Sequence, residues 1–125
     1  MEITKTELQL MDVIWQIAPC DANQVIDVLN ESDTWHEKTV KTLLGRLVKK
    51  GALGFEKQGR SYIYTQLIEQ DAFQVKESES FVKRLFKGRL SPLVATFAKT
   101  NKLTERDVDE LKKIISDWEQ NKDNK

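Results

Sequence analysis

Along the stretch from His36 to Lys50 the chain interleaves two short hydroxyl side chains, Thr39 and Thr42, with the cations Lys38, Lys41, Arg46 and Lys49. Threonines three residues apart share one side of a helix. Their hydroxyls can approach base edges and their methyls a thymine methyl, while lysine and arginine reach guanine acceptors or phosphate oxygens. The pattern suits contact with a nucleic-acid duplex. Lys38, Thr39 and Thr42, nearer the helix start, are the expected base readers. Lys41, Arg46 and Lys49 are the expected phosphate contacts. Lys57 and Arg60 bracket a glycine turn further on and would touch the backbone or an adjacent minor groove. The competing reading is a set of ordinary surface cations on a solvated helix face.

Catalytic chemistry finds few residues to work with. There is no phosphate-cradling glycine loop and no nucleophile elbow. The single histidine, His36, and the single cysteine, Cys20, lie in different segments. One histidine makes no metal site, so no metal or other cofactor is expected, and His36 reads as a helix-start residue. One cysteine excludes an internal disulfide framework and a cysteine-based zinc ribbon. Cys20 beside Pro19 reads as a structural loop thiol. Carboxylate pairs such as Asp107 and Glu110 read as solubilising charge. The chain is not expected to be an enzyme.

The charge balance sharpens the nucleic-acid reading. The 125 residues carry 20 basic and 20 acidic side chains, a formal net charge of zero. Residues 1–35 hold one lysine against seven carboxylates, whereas residues 36–65 hold seven cations against two carboxylates. Phosphates respond to such local fields, because charge is screened over about 8–10 Å in physiological salt. No apolar run approaches the ~18 residues of a membrane span, and the N-terminal stretch does not read as a signal peptide. The expected location is the cytoplasm.

The elements that must hold these residues follow from caps and periodicity. Thr4 and Glu7 have capping-box spacing, and Leu8, Met11, Ile14, Trp15 and Ala18 recur at helical intervals up to Pro19. Asp21 and Gln24 open a second helix with Val25, Ile26 and Leu29 inward. A polar turn leads to a third helix over about His36 to Lys50, with Val40, Leu43, Leu44, Leu47 and Val48 inward and Gly51 as its stop. Trp35 reads as a core plug anchoring that turn. Leu53, Phe55, Tyr62, Ile63, Tyr64 and Leu67 around Gly59 predict a two-stranded hairpin, with Tyr62 and Tyr64 packing the core of the wing. Three helices followed by a hairpin are the layout of a winged helix-turn-helix, expected over residues 1–67.

Residues 68–125 return to helical periodicity. Ala72, Phe73, Val75, Phe81, Val82, Leu85 and Phe86 predict a long helix ending at Gly88. Ser91-Pro92 opens a short one carrying Leu93, Val94 and Phe97, and Thr104 with Asp107 caps a last helix with Val108, Leu111, Ile114, Ile115 and Trp118. The tail from Glu119 to Lys125 is polar and expected to fray. Three helices this short do not bury such stripes alone. The half is therefore expected to pair with its twin through Phe81, Leu85, Phe86, Leu93, Val94, Phe97, Leu111 and Ile115. The fold class expected is mainly α with a small β-hairpin wing, a winged helix-turn-helix plus a C-terminal helical dimerisation domain.

The run from Trp35 to Gly51 resembles the W-x-x-K-T-V-x-T-x-L-x-R-L-x-x-K-G signature of the penicillinase-repressor family, the BlaI, MecI and CopY type of winged-helix repressor. The opening from Thr4 to Trp15 and the wing ending at Tyr62, Tyr64 and Leu67 are similar to that family as well. So are Phe81 to Gly88 and Leu93 to Phe97. The resemblance implies a homodimeric repressor of palindromic operators, often with TACA/TGTA half-sites. It also implies partners for induction, a membrane sensor metallopeptidase or a downstream protease, and cleavage in the dimerisation half. The family's cleaved pair is Asn-Phe; the matching pair here is Thr96-Phe97. The paired C-x-C motifs of the copper-responsive branch are absent. The other classes weighed against this reading are a winged-helix protein-interaction module without direct DNA binding, and an enzyme.

Overall fold

The computed structural model describes residues 2–123. Its elements are α1 (Lys5–Ile17), α2 (Ala22–Leu29), α3 (Glu37–Lys49), β1 (Leu53–Gln58), β2 (Ser61–Gln66), α4 (Gln70–Phe86), α5 (Leu90–Lys99) and α6 (Glu105–Asp123). Two compact units divide between Val75 and Lys76, inside α4.

In the first unit, local signals set the helix ends. Thr4 and Glu7 form a reciprocal capping box on α1, and Asp21 and Gln24 do the same on α2. Each box satisfies amide donors that a helix start leaves without partners. The other end of α3 closes with a Schellman motif. Gly51 takes φ +82°, its amide donates to the Val48 carbonyl at 3.0 Å, and Ala52 donates to Leu47 at 3.0 Å. Only glycine adopts that backbone without cost.

The core joins Leu10, Met11, Val13 and Ile14 of α1 to Val25 and Leu29 of α2, and to Val40, Leu43, Leu44 and Leu47 of α3. Cys20, Ala52 and Leu53 complete it. Fully burying a leucine- or isoleucine-sized side chain is worth about 1.5–3 kcal/mol, so this layer fixes α3 against the other two helices. The α1 stripe is rotated from the expected one. Leu10 and Val13 go fully inside, while Leu8 and Trp15 pack at its edge, half-buried. Val48 also stops half-buried.

Glu7 is the one charged residue in that core, 1% exposed. Its Oε1 accepts from the Thr4 amide at 2.9 Å and from Lys50 Nζ, and Lys50 also donates to the Glu2 carbonyl at 2.7 Å. Burial pushes the Glu7 carboxyl upward. The Lys50 hydrogen bond, the Thr4 amide and hydroxyl, and the Lys50 charge outweigh it, and the group lies below its ordinary value. Its Oε2 is buried without a hydrogen-bond partner among the described residues. The ion pair joins the start of α1 to the C-terminal end of α3.

The wing is an antiparallel pair in the register Phe55–Tyr64, Lys57–Tyr62, Gln58–Ser61. Gly59, at φ +63°, leads the two-residue turn, a position where glycine suits the twist of a hairpin. A third extended piece lies beside it. Cys20 and Tyr64 exchange both backbone hydrogen bonds, Cys20 N to Tyr64 O at 3.2 Å and Tyr64 N to Cys20 O at 2.7 Å. Tyr64 packs against the core as expected, but Tyr62 does not: it is 46% exposed, edge-on to Phe55 with centroids 5.0 Å apart. The reason is distance from the hairpin root, since Tyr62 lies one residue from the turn and away from the apolar core. Trp15 donates its indole N–H to the Ile68 carbonyl at 2.9 Å and packs on Phe73 with centroids 5.6 Å apart.

The second unit comprises the rest of α4, then α5 and α6. Thr104 and Asp107 cap α6 reciprocally, at 3.0 and 3.1 Å. The helix runs to Asp123, so the stretch from Glu119 is helical rather than frayed, helped by Lys122 over the Trp118 ring at 5.2 Å. Asn124 and Lys125 lie outside the described residues. None of the described residues of this unit is buried in the single chain. Phe81, Leu85, Phe97, Ile114, Ile115 and Trp118 are exposed, and Phe86, Leu93, Val94 and Leu111 half-buried. No helix among the described residues is long and apolar enough to cross a membrane.

Candidate nucleic-acid interface

The buried side of α3 is settled by Val40, Leu43, Leu44 and Leu47, and this dictates what faces water. Lys38, Thr39, Lys41, Thr42, Arg46 and Lys49 are all exposed, as is Gly45 between them. The helix spans 13 residues, about 20 Å at 1.5 Å per residue, and a major groove admits an element of that girth. Lys57 and Arg60 stand exposed at the wing tip. The structure thus puts the predicted α3 residues on one solvent face of that helix and the two wing cations at the hairpin end.

Charge on this face is largely unspent. Lys38, Arg46, Lys49, Lys57 and Arg60 make no ion pair among the described residues. Lys41 does: its Nζ lies 2.7 Å from Glu37 Oε1, one turn back on the same helix. The hydrogen bond and charge of each raise the lysine and lower the glutamate from their ordinary values. Thr42 Oγ1 donates back to the Lys38 carbonyl at 2.9 Å, and the oxygen keeps its capacity to accept. His36 stands at the N-cap without a side-chain capping bond. Trp35 is half-buried against the core, its amide donating to Asn30 Oδ1 at 2.7 Å, so it anchors the entry to α3.

Other residues of this surface carry no sequence signal. Asp21, Ala22 and Asn23 at the start of α2 line an open concavity of about 420 Å³ with Lys41 of α3 and Arg60, Ser61, Tyr62 and Tyr64 of the wing. Asn23 and Ser61 are ordinary polar residues in the sequence, and only the fold brings them beside two cations. Tyr62 was legible as a wing residue but not as a surface one. Cys20 is buried, its thiol pushed up by burial and by the Asp21 charge. No cluster of three metal-ligating side chains occurs among the described residues.

A three-helix core that offers a hydroxyl- and cation-bearing third helix beside a basic hairpin defines a winged-helix DNA-binding protein of the repressor class. The family model described as penicillinase repressor matches residues 3–117, and the chain belongs to that family. It is 36% identical over 121 residues to the penicillinase repressor of Bacillus licheniformis, covering 97% of this chain and 94% of that protein. It is 30% identical over 115 residues to the methicillin resistance regulatory protein MecI of Staphylococcus aureus, covering 92% and 94%. Among solved structures, the DNA-binding domain of the repressor BlaI superposes with TM-score 0.51 at 43% identity, over 55% of this chain and 84% of that one. The Bacillus licheniformis BlaI monomer in complex with the blaP half-operator gives 0.50 at 42% identity, over 57% and 87%. The chain is a transcriptional repressor, and the family is one of DNA-binding proteins rather than enzymes.

Proposed function

We propose that the protein is a cytoplasmic homodimer that represses transcription by seating two copies of α3 in successive major grooves of a palindromic operator, under the control of an antibiotic-resistance signal. The observation that carries this reading is the single exposed face of α3, where Thr39 and Thr42 lie among Lys38, Lys41, Arg46 and Lys49. Lys38, Thr39 and Thr42 read bases; Lys41, Arg46 and Lys49 hold phosphates; Lys57 and Arg60 reach the flanking backbone. The likeness to a BlaI domain described in complex with a half-operator supports it. The uncovered apolar side chains of α4, α5 and α6 support pairing through Phe81, Leu85, Phe86, Leu93, Val94, Phe97, Leu111 and Ile115.

Tethering two weak readers raises operator occupancy far above that of either alone, and a two-fold axis in the protein matches one in the DNA. Repression is then occlusion of polymerase, and induction acts where the dimer is held. A sensor metallopeptidase or a downstream protease would release the repressor by cutting Thr96-Phe97 within α5.

The test is a salt titration of binding to a TACA/TGTA palindrome and to a scrambled duplex, by fluorescence anisotropy. Specific binding at physiological salt, two chains per site and a steep fall with salt are expected. Equal, weak binding to both duplexes and to any genomic fragment would leave the protein-interaction module as the better reading.

A further inference from the structure

Glu37 is the only carboxylate on α3, and it stands at the first helical position, where the reading helix would enter the groove. It is exposed, and with His36, Lys38, Lys41 and Thr42 it lines a shallow concavity at that end. Lys41 Nζ lies 2.7 Å from its Oε1, an exposed one-turn pair that biases the side chain along the helix. Oε2 makes no hydrogen bond to protein among the described residues. An acid here suits the positive end of the helix dipole, but a carboxylate brought against a duplex meets phosphate charge unless it faces a base that donates.

The major groove offers two kinds of donor, the amino groups of cytosine N4 and adenine N6. On the same base, beside the adenine amino group lies N7, an acceptor that repels a carboxylate, whereas beside the cytosine amino group lies C5–H; the partner base adds one carbonyl oxygen in either pair. A glutamate held by its own lysine therefore discriminates in favour of cytosine, while the lysine cancels the carboxylate's repulsion from the backbone.

We propose that Glu37 is a specificity-determining residue that accepts a hydrogen bond from N4 of one cytosine in each half-site, with Lys41 positioning it. This rests on the reading of α3 as the base-reading helix. Lys41 then serves orientation and local neutrality as much as phosphate binding.

The experiment selects duplexes from a library with randomised half-sites, using the full chain and its Glu37→Gln and Glu37→Ala variants, and measures affinities of the selected sites by anisotropy. The side chain is exposed, so both variants are expected to melt with the parent. The parent should select a fixed cytosine at one half-site position and bind about tenfold more weakly when that pair becomes T·A. Glu37→Ala should lose this preference and keep discrimination elsewhere; Glu37→Gln should shift it towards adenine. Retention of the cytosine by Glu37→Ala, or an equal change in affinity on every duplex, would overturn the proposal. A parent chain that selects no common sequence would instead overturn the DNA-reading function itself, and the proposal with it.

Discussion

Replacing Lys50 with methionine leaves Glu7 in the core without its cation. Severing a fully buried ion pair costs about 3–5 kcal/mol. Lys50 is 31% exposed while Glu7 is 1% exposed, so water screens one side of the pair. The Thr4 amide still donates to the carboxylate. The expected loss at pH 7 is therefore about 2–3 kcal/mol, a large part of the roughly 5–15 kcal/mol that holds a domain together. For a domain of this size that is a fall in Tm of roughly 10–20 °C.

The pH dependence is the sharper half of this prediction. In the parent chain Glu7 lies below its ordinary value of 4.5. It therefore contributes stability above that value, lost as pH falls through the folded-state value. In Lys50→Met the lysine's hydrogen bond and charge are gone while burial still acts upward. The carboxyl then titrates higher than in the parent, and the variant lacks part of the stability that the parent gains as pH rises. The two chains converge in acid, where Glu7 is neutral in both. Urea unfolding followed by tryptophan fluorescence should give a deficit of about 2–3 kcal/mol at pH 7 that narrows progressively as the solution is made acid. A deficit independent of pH, or one below about 0.5 kcal/mol at pH 7, would refute the reasoning.

Arg46→Ala and Lys49→Ala should each weaken DNA binding about equally on all sequences and lower the log–log salt slope by about 1. A loss confined to one sequence would move that residue to the base-reading set. Gly45→Ala should raise stability by about 1 kcal/mol, because a Cβ there meets nothing within 4 Å; a lower melting temperature would contradict this. Cys20 should resist maleimide in the native protein and react on addition of denaturant, since it is 1% exposed and its thiol is pushed up. Rapid native labelling would mean that the wing root opens.

The parts of the fold visible in the sequence are those set by local chemistry. Thr4 with Glu7, Asp21 with Gln24 and Thr104 with Asp107 announce helix starts because each cap is made within four residues. Gly51 and Gly59 mark backbone that other residues adopt only at a cost. The exposed face of α3 follows from where its leucines must go. What stayed hidden depends on distant partners. A capping-box glutamate normally sits in water, and nothing near Glu7 shows that Lys50, 43 residues away, draws it inside. The Cys20–Tyr64 bridge is one residue long and has no alternation to betray it. The placement of Asn23 and Ser61 beside Lys41 and Arg60 arises only where α2 meets the wing.

That one-residue bridge has a mechanical consequence. Two hydrogen bonds at Tyr64 and one from Leu67 to Ala52 clamp the hairpin at its base, whereas Gln58 to Ser61 project without anchorage to the helices. The hairpin is thus a cantilever, stiff where it meets the reading head and compliant at its cationic end. On the proposed function, such a beam would let Lys57 and Arg60 follow grooves of unequal width without tilting α3. Amide exchange would trace its bending profile, slow at Cys20 and Tyr64 and progressively faster towards Arg60.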